Sequence, residues 1–113
     1  MVKIEAILRP NTFEQIKDAL GEFGAKGLTV TQVMGCGLQK GRTEIYRGTE
    51  FTINLLPKIK LEIATTDDRA DQIVKIICEK ARTGNIGDGK IFISRLDDAV
   101  RVRTGETGDQ ALI

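Results

Sequence analysis

The sequence predicts an α+β sandwich in which a β-α-β unit occurs twice, on three observations. Apolar residues alternate with a period of two at residues 2–8 and again at 58–63. Each alternating run is followed by apolar residues at helical spacing, and each helical stretch by a run rich in strand-favouring residues. A chain of 113 residues accommodates this order as one domain, residues 1–113, since single domains usually hold about 100–200 residues.

In the first unit Val2, Ile4, Ala6 and Leu8 alternate with Lys3, Glu5, Ile7 and Arg9 until Pro10, whose missing N–H ends a ladder. Asn11, three residues ahead of Glu14, reads as the cap of a helix with apolar positions Phe13, Ile16, Ala19, Leu20 and Phe23; Gly24 and Gly27 end it. Residues 28–34, rich in Thr and Val, form the second strand. In the second unit Ile59, Leu61 and Ile63 alternate with Lys58, Lys60 and Glu62. Thr66 and Asp67 supply caps for a helix striped by Ala70, Ile73, Val74, Ile77, Cys78 and Ala81. The glycine-rich turn 83–89 leads into a fourth strand at 90–94, and 97–103 adds one further extended piece. Two helices on one face of a four-stranded antiparallel sheet make the split β-α-β arrangement called ferredoxin-like. The opposite face would carry Lys3, Glu5, Thr29, Lys60 and Glu62, which can pair across strands or across a subunit interface.

Lys and Arg total 17 against 16 Asp and Glu, a formal net charge of +1, and there is no His. Near-neutrality argues against a nucleic-acid or membrane-surface binder, whose affinity comes from many uncompensated cations, so any anion site must be local. The missing histidine excludes Ser-His-Asp and Cys-His nucleophiles, His-ligated metals and phosphohistidine chemistry. Cys36 and Cys78 read as reduced packing thiols of a cytoplasmic protein. No secretory pattern opens the sequence, and no apolar run nears the ~20 residues of a spanning helix, so direct membrane insertion is not expected.

Residues 36–54 exceed the usual connection of about 4–6 residues. The segment mixes Gly37, Gly41 and Gly48 with Lys40, Arg42, Glu44, Arg47 and Glu50, and offers Ile45, Tyr46, Phe51 and Ile53 as anchors for a partner. Gly84, Gly89 and Lys90 match most of a P-loop, but Ile91 follows in place of Ser or Thr and a strand follows in place of a helix. The turn remains a candidate anion cradle of another kind, with Lys90, Arg101 and Arg103 as cations, the two arginines sharing a strand face. Gly35, Gly37 and Gly41 lack the dinucleotide spacing. Phe92, the lone aromatic of the central strands, is too little for an RNA-reading sheet.

Thr43-Glu44-Ile45-Tyr46-Arg47-Gly48-Thr49-Glu50-Phe51 and Thr83-Gly84-Asn85-Ile86-Gly87-Asp88-Gly89-Lys90-Ile91-Phe92 resemble the two signature regions of the PII nitrogen-regulatory family. The likeness runs from Lys3 through Leu56-Pro57-Lys58 to Gly105. The resemblance implies a homotrimeric signal-transduction regulator, not an enzyme, with nucleotide sites in the clefts between subunits. There ATP and ADP compete, and 2-oxoglutarate binds beside ATP through a bridging magnesium ion. By matching motif, Gly87, Asp88, Gly89, Lys90, Arg101 and Arg103 would face the phosphates, with Gly35, Gly37 and Leu38 from the neighbouring subunit's turn. Thr29, Glu62 and Ala64 would lie near the adenosine. Gln39 would ligate magnesium, and Lys58, with Gly87 beside it, would meet a 2-oxoglutarate carboxylate. The family's T-loop corresponds to about 38–55, its B-loop to 83–90 and its C-loop to 101–113. Effectors reshape the T-loop, which then docks on an ammonium transporter or a nitrogen-assimilation enzyme, here through Tyr46, Arg47 and Gly48. A transporter partner would recruit the protein to the inner membrane.

Two positions, Phe51 and Leu38, depart from the family's pattern. Phe51 stands where many bacterial members carry the tyrosine that is nucleotidylylated, so no modification is expected there; Thr49 stands where some carry a phosphorylated serine, and its hydroxyl permits that chemistry. Leu38 replaces an arginine commonly found beside the phosphates, removing a charge-assisted contact typically worth ~1.5–3 kcal/mol. Two rival readings remain: a small phosphohydrolase or slow ATPase using Glu62, Asp88 or Lys90, and an adaptor of the same fold that has lost effector sensing.

Overall fold

A computed structural model of the chain describes residues 1–36, 42–46, 49–53 and 55–113, the two short segments through their backbones. In chain order the elements are β1 (Val2–Leu8), α1 (Phe13–Phe23), β2 (Thr29–Cys36), β3 (Arg42–Tyr46), β4 (Thr49–Ile53), β5 (Leu55–Thr65), α2 (Asp67–Ala81) and β6 (Gly89–Arg95). The main sheet is antiparallel with order β2-β5-β1-β6. β5 is thus inserted between the two strands of the first β-α-β unit, and β1 between those of the second, which is the ferredoxin-like topology.

The alternation of β1 is also its burial pattern: Val2, Ile4, Ala6 and Leu8 are buried and the residues between them are not. Ile59, Leu61 and Ile63 of β5 face the same way, against Ile16 and Leu20 of α1 and Ala70, Ile73, Ile77 and Ala81 of α2. One apolar layer between sheet and helices therefore accounts for the core. On the opposite face Lys3 pairs with Glu62 at 3.6 Å, and Lys60 with Glu5 at 3.5 Å and Glu62 at 3.6 Å, so the charges expected there do meet across strands.

Four local expectations change. Asn11 is not a cap: Pro10–Thr12 form a single 3-10 turn ahead of α1, held by the Thr12 hydroxyl donating to the Arg9 carbonyl at 2.7 Å. Thr66 and Asp67 give α2 no side-chain cap; the Asp67 carboxylate accepts from Arg95 at 2.8 Å instead. Residues 97–103 do not form a strand, and only Val100 bridges, to Thr107. Cys78 is half-buried, but Cys36 is exposed at the end of β2, outside the core.

Within the long connection, β3 and β4 pair antiparallel as a separate two-stranded sheet, with Tyr46 opposite Thr49 and Arg42 opposite Ile53. β5 begins at Leu55, earlier than its alternation suggests, because β2 extends past the end of β1 and pairs with residues 55–58. Pro57 is tolerated there: it lies beyond Ile59, the last partner of β1, so β1 has no ladder for its missing N–H to interrupt.

Candidate functional site

β1 stops at Leu8, opposite Ile59 on one side and Gly89 on the other. Immediately past that sheet end lie Arg9, Lys58 and the turn residues Gly87 and Asp88. Lys58 sits on the open face of the sheet, yet only 8% of its surface is accessible. Its Nζ donates to the Gly87 carbonyl at 3.2 Å. Its stem runs along Gly35, where an added Cβ would approach Lys58 Cγ to 3.2 Å, so the absence of a side chain at Gly35 gives the lysine its path. Burial pushes the Lys58 ammonium below its ordinary pKa, the charge of Arg9 adds to this, and Asp88 opposes it.

Asp88 organises the turn. The amides of Thr83 and Gly84 each donate to Oδ2 at 2.8 Å. The Thr83 hydroxyl and the Arg9 guanidinium both donate to Oδ1. Arg9 also donates to the Ile86 carbonyl at 2.9 Å, and the Asn85 amide to Thr83 Oγ1 at 3.2 Å. The Thr83 hydroxyl first, then Arg9 and the amides, hold the Asp88 carboxyl well below the usual range. The Thr83 and Gly84 amides are consequently committed to Asp88 and not to a ligand. Gly89 closes the turn at φ 118°, where a Cβ would fall 2.1 Å from the Ile7 carbonyl oxygen. Lys90 follows, exposed, in register with Ile7.

A second group gathers at the other end of the sheet. Thr29 is opposite Glu62, and Ala64 is opposite Lys3. Ala64 lines a groove of about 270 Å³ together with Lys26, Gly27, Arg101 and Leu112. Arg101 donates to Glu106 Oε1 at 2.7 Å and to the main-chain oxygen of Ile113. Arg101 and Arg103 do not share a strand face: the Gly105 amide donates to the Arg101 carbonyl at 2.7 Å, closing a turn, and Arg103 is exposed.

Lys58 and Ala64 are separated by six steps along β5, roughly 20 Å at strand rise. On one chain the expected site residues therefore fall into two groups, one around Lys58, Gly87 and Asp88 and one around Ala64 and Arg101. Gly35 lies against Lys58, on the same chain as the glycine turn. Gly37, Leu38, Gln39, Arg47 and Gly48 lie outside the described residues, and Tyr46, Thr49 and Phe51 are described through their backbones. Arg9 and Thr83 were not among the expected site residues. Their signal was positional: Arg9 ends a strand whose partner begins at Gly89, so the two must meet. Among the described residues no group of three or more His, Cys, Asp or Glu lies together as a metal site, and no helix is long and apolar enough to cross a membrane.

Residues 1–106 match the family model described as nitrogen regulatory protein P-II. The chain is 48% identical over 112 residues to the nitrogen regulatory protein P-II of Rhizobium meliloti (strain 1021), covering 99% of this chain and 100% of the relative. Similar relatives of the same name occur in Mesorhizobium japonicum, 49% identical over 112 residues, and Pasteurella multocida, 47% identical over 112 residues, at the same coverage.

Proposed function

Because the chain belongs to the nitrogen regulatory protein P-II family, we propose that it is a cytoplasmic, homotrimeric sensor that binds ATP or ADP and 2-oxoglutarate and reports them to a protein partner through residues 38–55. The observation that carries this reading is the buried Lys58 ammonium against the Gly87 carbonyl, at the foot of the connection that would move. A desolvated cation gains from a bound carboxylate, which restores the counter-charge that burial withholds. A 2-oxoglutarate carboxylate fits that need, and its position beside β2 and β5 would couple occupancy to the hairpin that both strands lead into. The partner would be an ammonium transporter, with recruitment to the inner membrane, or a soluble nitrogen-assimilation enzyme.

In the nucleotide reading, Gly35, Gly87, Gly89 and Lys90 of one chain, with Gly37 and Leu38, meet Thr29, Glu62, Ala64, Arg101 and Arg103 of the next. Magnesium would need Gln39 and ligand oxygens, and would neutralise charge between nucleotide and 2-oxoglutarate. The hydrolase alternative is disfavoured by the acids available. Asp88 is held ionised by four donors from Thr83, Gly84 and Arg9, which makes it a weak base, and Glu62 is shared between Lys3 and Lys60.

Calorimetry with ADP, ATP and 2-oxoglutarate plus magnesium tests the reading. Wild type should bind all three, and Lys58→Ala should lose 2-oxoglutarate binding by tenfold or more, on the order of a buried charged hydrogen bond, while retaining ADP. Equal loss of both would remove the assigned role of Lys58, and no nucleotide binding by wild type would remove the sensor reading.

A further inference from the structure

Arg101 does not wait empty at the edge of its groove. Its Nη1 donates to Glu106 Oε1 at 2.7 Å, and its Nη2 donates to the main-chain oxygen of Ile113. The Glu106 carboxylate is itself held: Oε1 accepts from the Thr104 hydroxyl at 2.7 Å, and the Glu106 amide donates to Thr104 Oγ1 at 3.2 Å. The backbone fixes the pair in register, since the Arg101 amide donates to the Glu106 carbonyl at 2.9 Å and Val100 bridges Thr107. The carboxylate therefore stays in front of the guanidinium without any rearrangement of the turn. A guanidinium grips phosphate most strongly through two parallel N–H groups, and here both terminal nitrogens already have acceptors.

We propose that Glu106 is a resident counter-anion that occupies Arg101 until a nucleotide phosphate displaces it, so that binding at this guanidinium is an exchange of one anion for another. This rests on the nucleotide-binding reading above. The exchange selects for ligands that carry phosphate, because a neutral nucleoside can fill the groove beside Ala64 but gains nothing from displacing a carboxylate. It also lowers the resting affinity of the groove for those ligands by the strength of the resident pair. The pair is partly exposed, with 28% of the Arg101 side chain and 42% of the Glu106 side chain accessible, so the effect should be modest.

The test is calorimetry of wild type, Glu106→Gln and Thr104→Ala with ADP, ATP and adenosine, with circular-dichroism melts to verify folding. Glu106→Gln keeps the shape of the turn and removes the competing charge. It should tighten ADP and ATP about two- to fivefold, the range set by an exposed ion pair, and leave adenosine unchanged. Thr104→Ala, which only loosens the carboxylate, should move ADP in the same direction by less, and it carries the test should Glu106→Gln fail to fold. ADP affinity that is unchanged or weakened in a folded Glu106→Gln, with wild type binding normally, would overturn the exchange and make Glu106 a support that positions Arg101. Tightening of adenosine to the same extent would also overturn it, since the change would then lie in the groove's shape. Absence of nucleotide binding by all three forms would overturn the sensor reading and the exchange together.

Discussion

Asp88 gives the 83–89 turn a definite shape. Four donors converge on its two oxygens: two amides, a hydroxyl and a guanidinium from the end of β1. A glycine-rich segment on its own would sample many conformations, and the carboxylate selects one that leaves the Gly87 carbonyl aimed at Lys58. Because these donors favour the ionised form, the folded carboxyl titrates below its unfolded value of about 3.9. Its stabilisation is then fully present above roughly pH 4 and is lost as pH falls through the carboxylate range. We expect Asp88→Asn to lower Tm at pH 7, and to lose less of its stability than wild type between about pH 4 and pH 2. Thermal melts across that range would check this, and parallel curves for the two proteins would refute the role. The Gly and Lys residues of this neighbourhood were legible in the sequence because glycine turns and local cations are. Arg9 was not, because its function arises only when antiparallel pairing brings the end of β1 beside the residue ahead of β6.

At the level of elements, the close approach of Gly89 to β1 decides whether turn and sheet can coexist. A Cβ there would sit 2.1 Å from the Ile7 carbonyl oxygen, and the φ of 118° is itself strained for any other residue. Neither contact can yield cheaply, since the obstructing atom is backbone within the β1–β6 ladder. Backbone strain of about 1–3 kcal/mol and overpacking of similar size predict that Gly89→Ala destabilises the fold by about 2 kcal/mol or more. For a domain of this size that lowers Tm by about 8 °C or more, and a melt within two or three degrees of wild type would show that the strands part readily at this point. The periodic elements β1, α1, β5 and α2 were all legible, because each has one apolar face against the same core. The pairing of β3 with β4 was not. Its glycines and alternating charges match the composition of a solvated connection, although Thr43, Ile45, Tyr46, Thr49, Phe51 and Ile53 have the β-branched and aromatic character of strands.

The residues proposed to hold the nucleotide form two half-sites at opposite ends of the sheet, and a symmetric arrangement of subunits would reunite them. A contact that joins the Lys58 end of one chain to the Arg101 end of the next is head-to-tail, and head-to-tail contacts repeat until they close a ring. The surface available for the ring's interior is the open sheet face, where Lys3, Glu5, Lys60 and Glu62 are already paired within the chain and Phe92 is 52% exposed. Paired charges can be desolvated together at moderate cost, whereas an unpaired charge buried between subunits costs about 3–5 kcal/mol. Lys60→Glu would break both ion pairs of Lys60 and leave Glu5, Glu62 and the new carboxylate clustered there with Lys3 as their remaining ion-pair partner in that cluster. In an isolated chain the loss is small, because exposed pairs contribute at most about 1 kcal/mol. In a ring it is repeated at every subunit. Sedimentation should therefore find wild type as a trimer and Lys60→Glu shifted toward folded monomer at concentrations at least tenfold higher. A trimer of undiminished affinity would place the subunit contacts away from this face and leave the two half-sites to be joined by some other surface.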